Sequence, residues 1–210
     1  RAMAGAIAFL HYGQGTRYDN IRLSPITTAS VPTIDALVEL PDGTPVELQS
    51  AVVTGKIPLV GFWYVEDPDR SNGIKLVGPT TAVAGDVVKV VGEMATQNGE
   101  RHIKVNASAD VTILSSGTPP KPLFVRGADL DTPGGLGVTG LLISVAGKVT
   151  AADVNFMEIT DGGGTNQWIW HEDLGTSNPS VGDFVVLTGE AGKWDGNRSI
   201  LWMRSPSDLM

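Results

Sequence analysis

The chain has no cysteine among its 210 residues, which excludes disulfide scaffolds, thiolate-held zinc, iron–sulfur clusters and thiol nucleophiles. Histidine is scarce too. His11, His102 and His171 are spaced too widely to form a His-x-x-x-His metal pair. With 15 Lys and Arg against 23 Asp and Glu, the net charge is −8, so the electrostatic footprint of a nucleic-acid binder is missing. Apolar runs such as Leu141 to Ala146 fall far short of the roughly 20 residues of a membrane-spanning helix. Helical periodicity is absent as well, and Thr33 to Leu40 offers no more than a helical turn before Pro41 stops it.

What is present is punctuation. The 26 glycines and 13 prolines recur at short intervals and separate runs rich in Val, Ile and Thr, the pattern of an all-β chain of short strands. These runs also repeat. Ala51-Val-Val-Thr-Gly55-Lys56 matches Ser144-Val-Ala-Gly147-Lys148-Val149, and Phe62 to Asp67 matches Phe156 to Asp161. Gly85-Asp86 to Gly92-Glu93 matches Gly182-Asp183 to Gly189-Glu190, and Arg101 matches Arg198. The landmarks keep one order and nearly one spacing, so the chain holds two copies of one unit.

Each copy reads as five strands, which in the first lie near residues 50 to 57, 61 to 67, 73 to 77, 86 to 96 and 101 to 106. Five short strands with glycines at Gly55, Gly92, Gly147 and Gly189 describe an OB-fold barrel, where glycine allows the sharp coiling of a small closed sheet. Val53, Val88, Val90, Val145 and Val186 are the expected core residues. The expected fold is therefore all-β: two tandem five-stranded OB-fold-like barrels at 26–116 and 138–210, an N-terminal β-hairpin at 1–25, and a Pro/Gly-rich linker at 117–137. Within that linker, Leu123-Phe-Val125 is an apolar phrase able to dock on a barrel.

Phe62-Trp-Tyr-Val-Glu-Asp-Pro-Asp-Arg-Ser-Asn-Gly-Ile74, the V-x-G-K phrase and Gly99-Glu-Arg-His-Ile103 resemble the tandem OB-like modules of large secreted or surface proteins of bacteria. The resemblance spans about residues 38 to 205 and implies an extracellular or cell-surface address. It brings no catalytic signature. The second copy departs from the pattern, with Asp161-Gly-Gly-Gly164 where the first has Asp67-Pro-Asp-Arg70.

Residues 1 to 25 belong to neither copy. Gly5 to Tyr12, a Gly-Gln-Gly turn and Thr16 to Leu23 read as a hairpin, and Tyr18-Asp-Asn-Ile-Arg-Leu23 resembles the final strands of concanavalin-like or laminin-G-like jelly rolls. Two strands alone bury too little surface to be stable. Ile7, Phe9, Leu10, Tyr18, Ile21 and Leu23 therefore call for a partner surface, which suggests strand addition to a neighbouring subunit.

Asp67-Pro-Asp69-Arg-Ser71-Asn-Gly73 looks like a calcium loop, but Gly78 stands where such a loop needs a bidentate Glu, and a plain turn is the expectation. Trp63, Trp168 and Trp170 form a candidate stacking surface for sugars or bases, with packing of the barrels or of their junction as the plainer reading. Trp168 and Trp170 alternate with Ile169 and share one side of their strand. The carboxylate pairs Glu66/Asp67, Asp129/Asp131 and Glu172/Asp173 are adjacent in turns, where solvation rather than glycosidic catalysis is expected. Asn106-Ala-Ser108 and Asn197-Arg-Ser199 are glycosylation sequons.

These features point to a non-enzymatic extracellular structural protein, with no cofactor, metal, nucleic acid or membrane span, that assembles as a homo-oligomer or filament through its hairpin. The alternative is a carbohydrate-binding accessory module of a secreted enzyme or adhesin. An OB-type oligonucleotide binder is the third reading.

Overall fold

The computed structural model describes residues 27–58, 60–131, 137–164, 166–172, 178–196 and 198–210. The hairpin expected at residues 1–25 lies outside them.

Runs of β-branched residues broken by turns give thirteen described strands in two sheets. The first barrel consists of β2 (Pro45–Ile57), β3 (Phe62–Glu66), β4 (Gly73–Val77), β5 (Asp86–Gln97) and β6 (Glu100–Lys104), flanked by β1 (Ala29–Val31) and β7 (Val111–Ser116). Its sheet runs β1-β2-β3-β4-β6-β5-β7 and closes through β2–β5 pairing, with β4 and β6 parallel. The second barrel is β9 (Leu142–Asp153), β10 (Phe156–Thr160), β11 (Asn166–Trp170), β12 (Phe184–Lys193) and β13 (Ser199–Trp202), preceded by β8 (Leu123–Phe124). Its order β10-β11-β13-β12-β9-β8 closes through β10–β9, and β11 and β13 are parallel. Both copies thus share the 1-2-3-5-4-1 closure of an OB barrel.

The repeat is longer than five strands. β1 pairs in parallel with β2 and leads into the short helix α1 (Ile34–Val38), while β8 pairs in parallel with β9 and leads into α2 (Ala128–Asp131). The segment 117–137 therefore contributes a strand and a helical turn to the second unit. The Asp that ends the aromatic strand fixes each turn: Ile34 N–H donates to both Asp67 carboxylate oxygens (3.0 and 3.2 Å), and Gly127 N–H donates to Asp161 (2.8 Å). The Gly-Asp phrase has one use in both copies. Gly85 and Gly182 N–H donate to the Val53 and Val149 carbonyls, and Asp86 and Asp183 accept from the Val83 and Ser180 N–H groups. After the fifth strand a 3-10 turn returns the chain to strand four, as β7 on β5 and as Leu209–Met210 on β12.

Register corrects two alignments made from sequence. Gly147 sits opposite Val185 as Ala51 sits opposite Val88, so Gly147 is the counterpart of Ala51 rather than of Gly55. Irregularities cause this: β2 carries an extra residue between Leu48 and Ala51 that β9 lacks. Likewise Lys193 faces Ser199 as Thr96 faces Arg101, so the second β-hairpin turn is one residue longer and Arg198 is not the counterpart of Arg101. Gly92 and Gly189 do correspond, preceding Glu93 and Glu190, which face Lys104 and Trp202.

Val53, Val88, Val90 and Val145 are buried as expected, whereas Val186 is only half-buried. Side chains alternate along a strand, and Val185 and Leu187 take the inward positions. One cluster fills the first barrel around Leu48, Val65 and Ile103, and a second fills the other around Val145, Met157 and Leu201. Between them a third joins Ile57, Phe62 and Tyr64 to Trp168, Trp170, Ile200 and Trp202.

Candidate functional site

Inward positions of β10, β11 and β13 belong to the core, so the alternate residues Phe156, Trp168, Trp170, Ile200 and Trp202 face outward from the second barrel. The Phe156 and Trp170 backbones pair directly, and the Phe156 and Trp168 rings lie 4.3 Å apart between centroids. Trp202 stacks obliquely between Trp170 (5.6 Å) and Trp194 (5.7 Å). Asn155, Phe156, Trp168, Trp170, Trp194 and Ile200 enclose a cavity of about 260 Å³. Trp194, on the longer β12–β13 turn, is 43% exposed, and the Arg198 guanidinium of that turn lies 3.7 Å from the Trp168 ring centre. Four aromatic rings, of which Trp194 is exposed and Phe156 and Trp168 are half-buried, with one amide and no carboxylate in the lining, can stack a flat apolar ring face.

The three tryptophans of the expected stacking surface do not stand together. Trp168 and Trp170 line this cavity, while Trp63 packs against the first barrel's core with Lys56 over its ring (5.1 Å). Phe156 and Arg198 escaped the sequence reading, although the Phe62/Phe156 match and the alternation of β10 already carried the first of them. The contribution of Arg198 depends on the extra residue in its turn.

The rest of the outward face forms the joint between barrels. Phe62 meets Trp202 edge to face (5.1 Å), and a Cβ at Gly192 would stand 2.5 Å from both the Trp202 Nε1 and the Tyr64 hydroxyl oxygen. Tyr64 donates its hydroxyl to Glu100 (2.7 Å), which also accepts from Lys75 Nζ (2.8 Å) and from the Lys193 N–H of the other barrel (3.2 Å). Burial, with the Glu100 charge beside it, raises the Tyr64 phenol well above its usual range. Glu66 binds Arg70 (2.9 Å) and accepts from Leu142 N–H (2.5 Å), and Arg204 pairs with Asp208 (2.7 Å) and donates to the Thr54 carbonyl (3.1 Å).

Glu190 is fully buried beside this network, and neither of its carboxylate oxygens is hydrogen-bonded. Thr54 donates instead to the Tyr64 carbonyl, and Arg204 forms its ion pair with Asp208. Burial pushes the Glu190 carboxyl up to about 8, opposed by the Arg204 charge and reinforced by Glu66 and Asp208.

Asp173 of the Glu172/Asp173 pair and Asn197 of the second sequon lie outside the described residues. In the calcium-like loop Asp67 caps α1, Asp69 accepts from Ser71, and Arg70 adopts a left-handed backbone (φ 62°). Among the described residues no group of three or more His, Asp or Glu side chains is placed to hold a metal ion. No described helix is long and apolar enough to cross a membrane.

No protein-family model and no curated protein matches this chain. Twelve chains of solved structures do. One, described as "Structural mimicry for functional antagonism", is 14% identical over 76% of this chain and 88% of that one, with a TM-score of 0.33. At that level the likeness carries no argument about function.

Proposed function

We propose that the chain is a non-catalytic binding module whose second barrel takes a sugar ring in the cavity walled by Trp168, Trp170 and Trp194. The observation that supports this reading is an aromatic cavity of about 260 Å³ at a place where the first barrel carries Lys75, Val77 and His102. Its size suits one ring rather than an extended drug-sized ligand. An acidic chain is ill suited to the phosphates of an oligonucleotide, which makes a sugar the better occupant of the same rings. Glu66, Asp67 and Asp129 are each held by donors of the fold, which favours a non-catalytic role.

Calorimetric titration with a panel of soluble oligosaccharides tests the proposal. At least one should bind, and Trp194→Ala should weaken it by about tenfold or more, since ring stacking contributes on the order of 1–3 kcal/mol. Equal affinity in that variant, or no binding across the panel, would refute it.

One observation favours the self-assembling structural role as a second reading. The barrels are joined by a buried aromatic and ionic joint rather than a loose linker, which suits a rigid building block at the cell surface. If residues 1 to 24 supply the strand donor, their deletion should leave both barrels folded and abolish polymers in electron micrographs. Polymers that persist would reject it.

A further inference from the structure

We infer that the sugar taken by the second barrel is acidic, a hexuronate whose carboxylate is bound by Arg198; this rests on the carbohydrate reading above. The cavity lining itself carries no charge, so selection by charge has to come from its mouth. Just outside that lining the Arg198 guanidinium carbon lies 3.7 Å from the centre of the Trp168 ring. Contact with a ring face leaves the N–H donors at a guanidinium's edge free, the arrangement that grips a carboxylate through two parallel hydrogen bonds.

Arg198 also differs from the other described arginines. Arg70 serves Glu66 and the Leu142 carbonyl, Arg101 serves Asp42 and the Leu40 carbonyl, Arg126 serves Asp129, and Arg204 serves Asp208 and the Thr54 carbonyl. Among the described residues the Arg198 side chain donates no hydrogen bond, and Asp195 stands off at 4.0 Å. A guanidinium whose ion pair comes no closer than 4.0 Å, beside an apolar aromatic cavity, matches a ligand with an apolar ring face and one carboxylate. The first barrel offers no such pairing, because Lys75 occupies the position of Trp168 and forms its ion pair with Glu100.

The test compares an oligosaccharide ending in a single hexuronate with a neutral oligosaccharide of equal length by calorimetry, on the wild type, Arg198→Gln and Trp194→Ala. The inference expects the acidic sugar to bind about tenfold tighter at low salt, a preference that fades as salt rises. Arg198→Gln should erase the preference and leave neutral affinity within about twofold, and Trp194→Ala should weaken both sugars. Equal affinity for the two sugars, or a preference that survives Arg198→Gln, would overturn the acidic inference and leave the carbohydrate reading standing. No binding of either sugar, or choline chloride filling the cavity in their place, would overturn both.

Discussion

The two barrels share strand order, helical turn, capping Asp and Gly-Asp turn, yet they present opposite chemistry at equivalent outward positions. Where the second has Trp168, Trp170, Trp194 and Ile200, the ladders place Lys75, Val77, Gln97 and His102 in the first. The first barrel's face is polar because it is occupied: Lys75, Tyr64 and Glu100 form a buried network against its neighbour. The second barrel's face is only half covered, and the uncovered half is the aromatic cavity. One fold is thus used twice, once to join and once, in the function proposed, to bind. What decides between the uses is a few outward residues and one extra residue in a turn.

The largest effect that breaks the comparison should come from the joint. Glu100→Ala leaves Lys75 buried without its partner and removes the acceptors of Tyr64 and Lys193, so about 3–5 kcal/mol of stability should be lost in chemical denaturation. A loss under about 1 kcal/mol would mean that the network contributes little.

Next comes Glu190. Its folded value of about 8 lies above the ordinary carboxyl value of 4.5, so the folded state holds the proton more tightly and this group's contribution is fully present below pH 4.5. That contribution should fall progressively as pH rises from 4.5 to 8 and then level off, by a few kcal/mol in all. Glu190→Gln should flatten this part of the profile, and an unchanged slope would show that the carboxyl is not buried uncharged between the barrels.

Gly73→Ala should cost about 1–3 kcal/mol, because the added methyl overlaps the Gly140 carbonyl where the barrels' backbones touch. Trp194→Ala should change stability least, within about 0.5 kcal/mol, while weakening sugar binding, because the ring is exposed and outside the core clusters.

The barrels were legible in the sequence because strand-forming runs, turn glycines and the spacing of the two copies all record local backbone needs. Asp67 and Asp161 could be seen to repeat, but their use could not, since their partners Ile34 and Gly127 are more than thirty residues away in the chain. Val186 was misplaced by one residue, and with a period of two that turns a side chain from outside to inside. Trp168 and Trp170 were legible as a pair through their alternation with Ile169. Trp63 was grouped with them on residue type alone, and the pairing of β2 with β3 places it on the other side of its sheet. Arg198 lay hidden because it appeared to match Arg101, and only the ladder shows the longer turn that sets it over Trp168.

The central claim is that the second barrel's outward face binds and the first's does not. Each of the five tryptophans carries one indole N–H, so a proton–nitrogen correlation spectrum recorded during titration with an oligosaccharide ending in one hexuronate reads both barrels at once. The account predicts that the Trp168, Trp170 and Trp194 signals move together and saturate at one ligand per chain, while Trp63 stays in place. Movement of Trp63 with the three others still, or no movement at any indole, would contradict it.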